Sequence, residues 1–194
     1  MQFTSPFIGN VSSGPQACTA FVYQFECDIK TIPIGGAAIV KFNVTMNHNK
    51  SQNYDNIAKI VSNSIDPNTT NNILKGQISI IKLDVLPNTT RNELNLGNNS
   101  IIPVAILGNA TMDVLNINAE SVCFGSHANV SLRDCLGSTG EFRDVNNDTM
   151  VDLLLNYSSS RTHILSNDTS ACMSGRFNNE RSLIGCDKII VRRS

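Results

Sequence analysis

The chain has 194 residues, of which 41% are apolar and 16% charged, and its formal net charge is −1. That apolar share supports a real core, and the length accommodates one large or two modest β domains. Arg192-Arg193 is too short a basic run to bind phosphate backbones, so no nucleic-acid partner is expected.

The N-terminus, Met1-Gln2-Phe3-Thr4-Ser5-Pro6, lacks the basic and apolar regions of a secretory signal. No apolar run approaches the ~20 residues that span a bilayer, so no membrane span is expected. Periodicity of two dominates from there on. In 38–46, Val40, Phe42, Val44 and Met46 fall on one face of a half-buried strand. The polar stretch 64–75, with Pro67 and several Asn, reads as the boundary between two domains, 1–72 and 73–194. Over 78–85 the alternation slips between Ile80 and Ile81, which suggests a β-bulge. The apolar run 100–107 contains Pro103, which cannot donate to a ladder and so predicts an edge or kinked strand. Residues 151–157 alternate again, and 188–191 makes a last short strand. Gly14-Pro15, residues 33–36, Asp66-Pro67-Asn68, Gly97-Asn98, Gly125-Ser126 and Gly137 punctuate these runs. The pattern predicts an all-β fold of sandwich or barrel type.

The six cysteines fall into three local pairs, and proximity suggests Cys18–Cys27, Cys123–Cys135 and Cys172–Cys186. Six cysteines allow 15 connectivities; the alternative is six reduced core thiols. Of the Asn-x-Ser/Thr sequons at Asn10, Asn43, Asn49, Asn68, Asn88, Asn98, Asn109, Asn129, Asn147, Asn156 and Asn167, some would carry glycans in a eukaryotic secretory pathway; the alternative is that they arise by chance in an Asn- and Thr-rich chain.

Two stretches resemble known families. The first runs from Cys27 through Ile32-Pro33-Ile34-Gly35-Gly36-Ala37-Ala38-Ile39-Val40. It continues with Asn56-Ile57-Ala58-Lys59-Ile60-Val61 and Asp66-Pro67-Asn68-Thr69-Thr70-Asn71-Asn72. Over residues 12–72 this resembles the C-terminal part of the conserved-repeat immunoglobulin-like domain of bacterial and archaeal surface proteins. The family's first strands precede residue 12, so the resemblance implies a truncated sandwich with an open sheet edge. The second comprises Leu83-Asp84-Val85-Leu86-Pro87, Asn92-Glu93-Leu94-Asn95-Leu96, Ile102-Pro103-Val104-Ala105-Ile106-Leu107-Gly108 and Asp144-Val145-Asn146-Asn147-Asp148. Over 78–192 it is similar to a β module at the ends of bacterial and archaeal secreted proteins. Together the two imply a partial immunoglobulin-like sandwich followed by a disulfide-containing β-sandwich module.

One segment carries chemistry. Residues 144–152 place oxygen side chains at loop positions one, three, five and nine. Ca²⁺ takes six to eight oxygens, and alternate positions of a tight loop point several inward. Asp144, Asn146, Asp148 and Asp152 would be side-chain ligands and the Met150 carbonyl the position-seven ligand. The loop resembles the calcium loops of dockerin modules and propeller blades. It departs from them at Thr149, where Gly is usual and a β-branched residue is poorly suited to positive φ. It departs more mildly at Asn147. The alternative is an Asx-turn loop without metal.

Other constellations fail. His48, His127 and His163 sit in no nucleophile motif, and no Cys-x-x-Cys occurs. Cys123, His127 and Cys135 have unusual spacing for zinc, no evident fourth ligand, and disulfides as competitors. The expectation is a non-catalytic extracellular or cell-surface structural or adhesive module with one structural Ca²⁺ and a protein or glycan partner, part of a larger secreted chain. The alternative is an accessory carbohydrate-binding module of a secreted hydrolase. No Trp and only Tyr23, Tyr54 and Tyr157 are available to stack on a sugar, which argues against it.

Overall fold

The computed structural model describes residues 2–4, 17–21, 24–40, 51–97, 99–128, 133–137 and 140–192. Most of the expected strand 38–46, His48, Tyr23 and the sequons at Asn10, Asn43, Asn49, Asn98 and Asn129 lie outside them. The fold is all-β, and among the described residues no helix reaches seven residues. The chain forms two compact units, Met1–Asn47 with Asn53–Ile78, and His48–Gln52 with Ser79–Ser194.

The first unit holds β1 (Gln2–Thr4), β2 (Ala17–Ala20), β3 (Gln24–Asp28), β4 (Gln52–Lys59) and most of β5 (Ile73–Ile80). β1 pairs antiparallel with both β3 and β4, and β2 with β3. The paired positions Cys18 and Cys27 carry a disulfide. Phe25 and Cys27 are buried, with Cys18, Ile29, Val40 and Ala58 packed on them. The expected tight turn at 33–36 is present: the Gly36 amide donates to the Pro33 carbonyl at 2.8 Å, and Gly35 has φ +74°. Within 64–75, Asp66 caps the Asn68 amide at 2.9 Å, and a 3₁₀ turn (Thr69–Asn72) leads into β5.

The second unit is the larger. Its strands are β6 (Lys82–Val85), β7 (Glu93–Asn95), β8 (Ile101–Leu107), β9 (Ile117–Ser126) and β10 (Glu141–Arg143). After these come β11 (Asp152–Ser158), β12 (Ser170–Phe177), β13 (Ser182–Lys188) and β14 (Ile190–Arg192). One sheet has the order β10-β11-β8-β6, a second joins β13, β12 and β9, and β14 runs parallel to β7. Leu83, Val104, Ile106, Leu153, Leu155 and Tyr157 from the first of these sheets share one core with Val122, Phe124, Met173 and Leu183 from the second. The core therefore lies between two sheets. Each such side chain contributes about 1.5–3 kcal/mol by leaving water.

Two local expectations are corrected. The slip at Ile80/Ile81 is a change of sheet, not a bulge. β5 ends at Ile80, Ile81 donates its amide to the Ile184 carbonyl at 2.9 Å, and β6 then pairs with β8. Both isoleucines are fully buried, which an alternating strand would not allow. Pro103, expected at an edge or in a kinked strand, stands in β8, an interior strand between β11 and β6. It is tolerated there because β6 stops at Val85, opposite Val104. The missing N–H of Pro103 thus falls just past the partner's end, while its carbonyl still accepts the Leu86 amide at 2.9 Å.

Candidate functional site

Residues 144–152 join β10 to β11. Val145, one of the loop's apolar residues, is buried against Ala105, Leu107 and Leu154, which anchors the loop while Asp144, Asn146, Asn147, Asp148 and Thr149 stay at the surface. The loop closes around its own oxygens. Asp144 accepts the amides of Asn146 (3.2 Å), Asp148 (3.3 Å) and Thr149 (2.9 Å). Asn146 Oδ1 accepts the Asp148 amide at 3.0 Å, and Asp148 Oδ1 accepts the Met150 amide at 2.9 Å. Asn146 Nδ2 donates to Asp148 Oδ2 at 2.9 Å. Desolvation opposes ionisation of Asp144, but the amides of Thr149, Asn147, Asp148 and Asn146 outweigh it and hold the carboxyl below the usual carboxylate range.

The two positions that depart from the glycine pattern take the glycine conformation: Asn147 has φ 60° and Thr149 φ 73°. For Asn this is a mild demand, whereas for β-branched Thr it costs on the order of 1–2 kcal/mol. The substitutions leave the loop's backbone path in place and make it more costly to hold.

Asp152 has a different setting. It is fully buried at the start of β11, where Oδ1 accepts the Gly108 amide at 2.8 Å and Oδ2 the Val145 amide at 2.9 Å. It ties both ends of the loop to the end of β8. Gly108 is needed for this approach, since a Cβ there would lie 2.1 Å from the Val151 carbonyl oxygen. Asp144, Asn146 and Asp148 are exposed, as is Met150, so the five expected ligands divide into four at the surface and one beneath it.

Elsewhere in this unit Asp84 and Asp187 lie close together. Burial first, then the charge of Asp187, pushes the Asp84 carboxyl above its usual range. Asp187 accepts the Val85 amide at 3.0 Å and the Asn92 side chain at 2.8 Å, which joins β13 to β6 and the segment before β7. Arg161 Nε pairs with buried Asp134 at 3.2 Å. Burial pushes the Tyr157 phenol upward, with Asp134 adding to it. In the first unit an open cleft of about 390 Å³ lies between residues 59–64 and 69–73, with Lys59 and Asp66 among its lining residues.

All three proposed disulfides are present. Cys123–Cys135 is thus oxidised, and His127 lies beside the other bond of this unit. Its Nδ1 is 3.1 Å from Cys172 Sγ and 3.8 Å from Cys186 Sγ. Among the described residues these three form the one group of three or more His, Cys, Asp or Glu ligand atoms brought together, all within 4.8 Å. The grouping weighed and set aside on the sequence, Cys123, His127 and Cys135, did not include the cysteine pair that His127 lies beside. The missing signal was strand register: β9 and β12 set Gly125 opposite Cys172, so the chain leaving β9 passes the Cys172–Cys186 pair.

Comparison with known protein families, curated proteins and solved structures finds no match.

Proposed function

We propose that this chain is a non-catalytic extracellular or cell-surface module of structural or adhesive role, rigidified by one Ca²⁺ in the 144–152 loop. One observation carries the reading: Asn147 and Thr149 are held at positive φ while Asp144, Asn146 and Asp148 turn their oxygens onto the loop's own amides. A backbone path that glycines would normally supply is thus kept by residues that resist it. The donor set is all oxygen, which suits a hard cation. Asp144, Asn146 and Asp148 would ligate with side chains and Met150 with its carbonyl. Each Asp152 oxygen keeps a lone pair beyond the amide it accepts, so Asp152 completes the set from below.

Three disulfides fit an oxidising, extracellular setting. No helix among the described residues is long and apolar enough to cross a membrane. The sequons at Asn68, Asn88 and Asn167 are exposed and open to glycosylation in a eukaryotic host. Calcium binding stabilises the folded state by mass action. Thermal unfolding of the oxidised protein is expected to shift upward when excess EDTA is replaced by Ca²⁺. The shift should be absent in the Asp144→Ala/Asp148→Ala variant. A folded wild-type protein with the same Tm in both conditions would sink the calcium reading.

A further inference from the structure

We propose that His127, Cys172 and Cys186 form a second metal site, one that exists only after reduction and takes Zn²⁺. In the oxidised protein the two sulfurs are bonded to each other, which leaves no thiolate to ligate a metal. The surroundings are nevertheless those of a soft-metal site. Cys172 and Cys186 stand directly opposite each other on β12 and β13, so breaking the bond leaves both sulfurs on one face of a paired sheet. Cys172 is fully buried and Cys186 half-buried, while His127 is exposed, so one side of the group is open to an entering ion and a water ligand. With Zn–S of about 2.3 Å and Zn–N of about 2.0 Å, tetrahedral ligands place nitrogen and sulfur roughly 3.5 Å apart. The His127 Nδ1 distances, 3.1 and 3.8 Å, bracket that value. Neither of the other disulfides has a histidine among the ligand groups brought together in the described residues.

The chemistry balances with a named reductant. A phosphine gives two electrons to the Cys172–Cys186 bond and takes an oxygen from water, leaving a phosphine oxide and two thiols. Zn²⁺ then displaces both thiol protons to solvent and binds two thiolates. The Nδ1 lone pair of neutral His127, its proton on Nε2, supplies the third ligand and water the fourth. In a cell a low-molecular-weight thiol would deliver the same two electrons by exchange, ending as its own disulfide. The same two cysteines therefore cross-link the sheet under oxidising conditions and, with His127, clamp it through a metal under reducing ones.

The test uses the full chain, oxidised or treated with a phosphine, titrated with Co²⁺ as a spectroscopic probe and then with Zn²⁺ as competitor. The reduced wild type is expected to develop a thiolate-to-cobalt charge-transfer band at one equivalent, lost on adding Zn²⁺, while the oxidised protein develops none. His127→Ala leaves both cysteines in place and is expected to weaken binding by at least about tenfold, the loss that removal of even an outer-shell partner can cause. Cys172→Ser/Cys186→Ser is expected to abolish the band. Reduced protein without the band, or a band of equal strength and affinity in His127→Ala or in the double serine variant, would overturn the proposal. Circular dichroism on each sample identifies a band that comes from unfolded chain, which counts against the site.

Discussion

Among the described residues, the two units hold themselves together by different means. In the second, more than twenty buried apolar residues form one core, most of them from two facing sheets. In the first, the described core is Phe25 and Cys27 with a few half-buried neighbours, while Ile34, Ile39, Val61, Ile65 and Leu74 are exposed. Small cores leave little net stability after chain entropy is met, and a covalent staple then matters proportionately more. Among the described residues the same chemical device thus has unequal weight in the two places: Cys18–Cys27 reinforces a small packed cluster, whereas Cys123–Cys135 and Cys172–Cys186 add to a large one.

The largest effects separate the units most sharply. Phe124→Ala, which empties a fully buried ring site, is expected to cost about 3–5 kcal/mol in the second unit. Cys18→Ser/Cys27→Ser is expected to cost about 2–3 kcal/mol, the loop-closure term for so short a loop, and to act on the first. Native-state hydrogen exchange should place each loss in its own strands: β8, β9 and β11 for the former, β3 and β4 for the latter. Uniform loss of protection in both variants would break the comparison.

Within the second unit the same contrast recurs between the foot and the mouth of the acidic loop. Asp152→Ala strands the buried amides of Gly108 and Val145 and should cost about 2–3 kcal/mol in urea unfolding without Ca²⁺. Thr149→Gly relieves a positive φ and is expected to stabilise by about 1 kcal/mol, offset in part by the freer unfolded chain. A destabilised Thr149→Gly would mean that the threonine is not strained.

The smallest effect is electrostatic. The folded-state pKa of Asp84 lies above its ordinary value, so the ionised form is penalised in the native state above that raised pKa. The penalty fades as pH falls through the interval toward the unfolded value. Asp84→Asn should therefore raise the unfolding free energy at pH 7, by less than about 1 kcal/mol given its partial exposure. The gain should vanish in acid. A gain that persists below the carboxylate range would assign it to packing.

Much of this arrangement was legible in the residues. Short spacing gave the three cysteine pairs, because cross-strand partners near a turn are also near in sequence. Alternation gave β11, whose Leu153, Leu155 and Tyr157 enter the core. Pairing order was not legible: nothing local says that β6 ends one residue before it would meet Pro103, or that the chain changes sheet after Ile81. The loop's oxygens were legible from their spacing. The burial of Asp152 was not, since it depends on Gly108, 44 residues earlier, presenting its amide at that depth. Position in the loop named the candidate oxygens, and register across the sheets decided which of them also holds the structure together.

The most direct test of the account is isothermal titration of the oxidised, chelator-treated protein with Ca²⁺, beside Asp144→Ala/Asp148→Ala. One ion per wild-type chain, with no binding to the variant, is the predicted result. A wild-type chain that takes up no Ca²⁺, or a variant that binds as the wild type does, would contradict it.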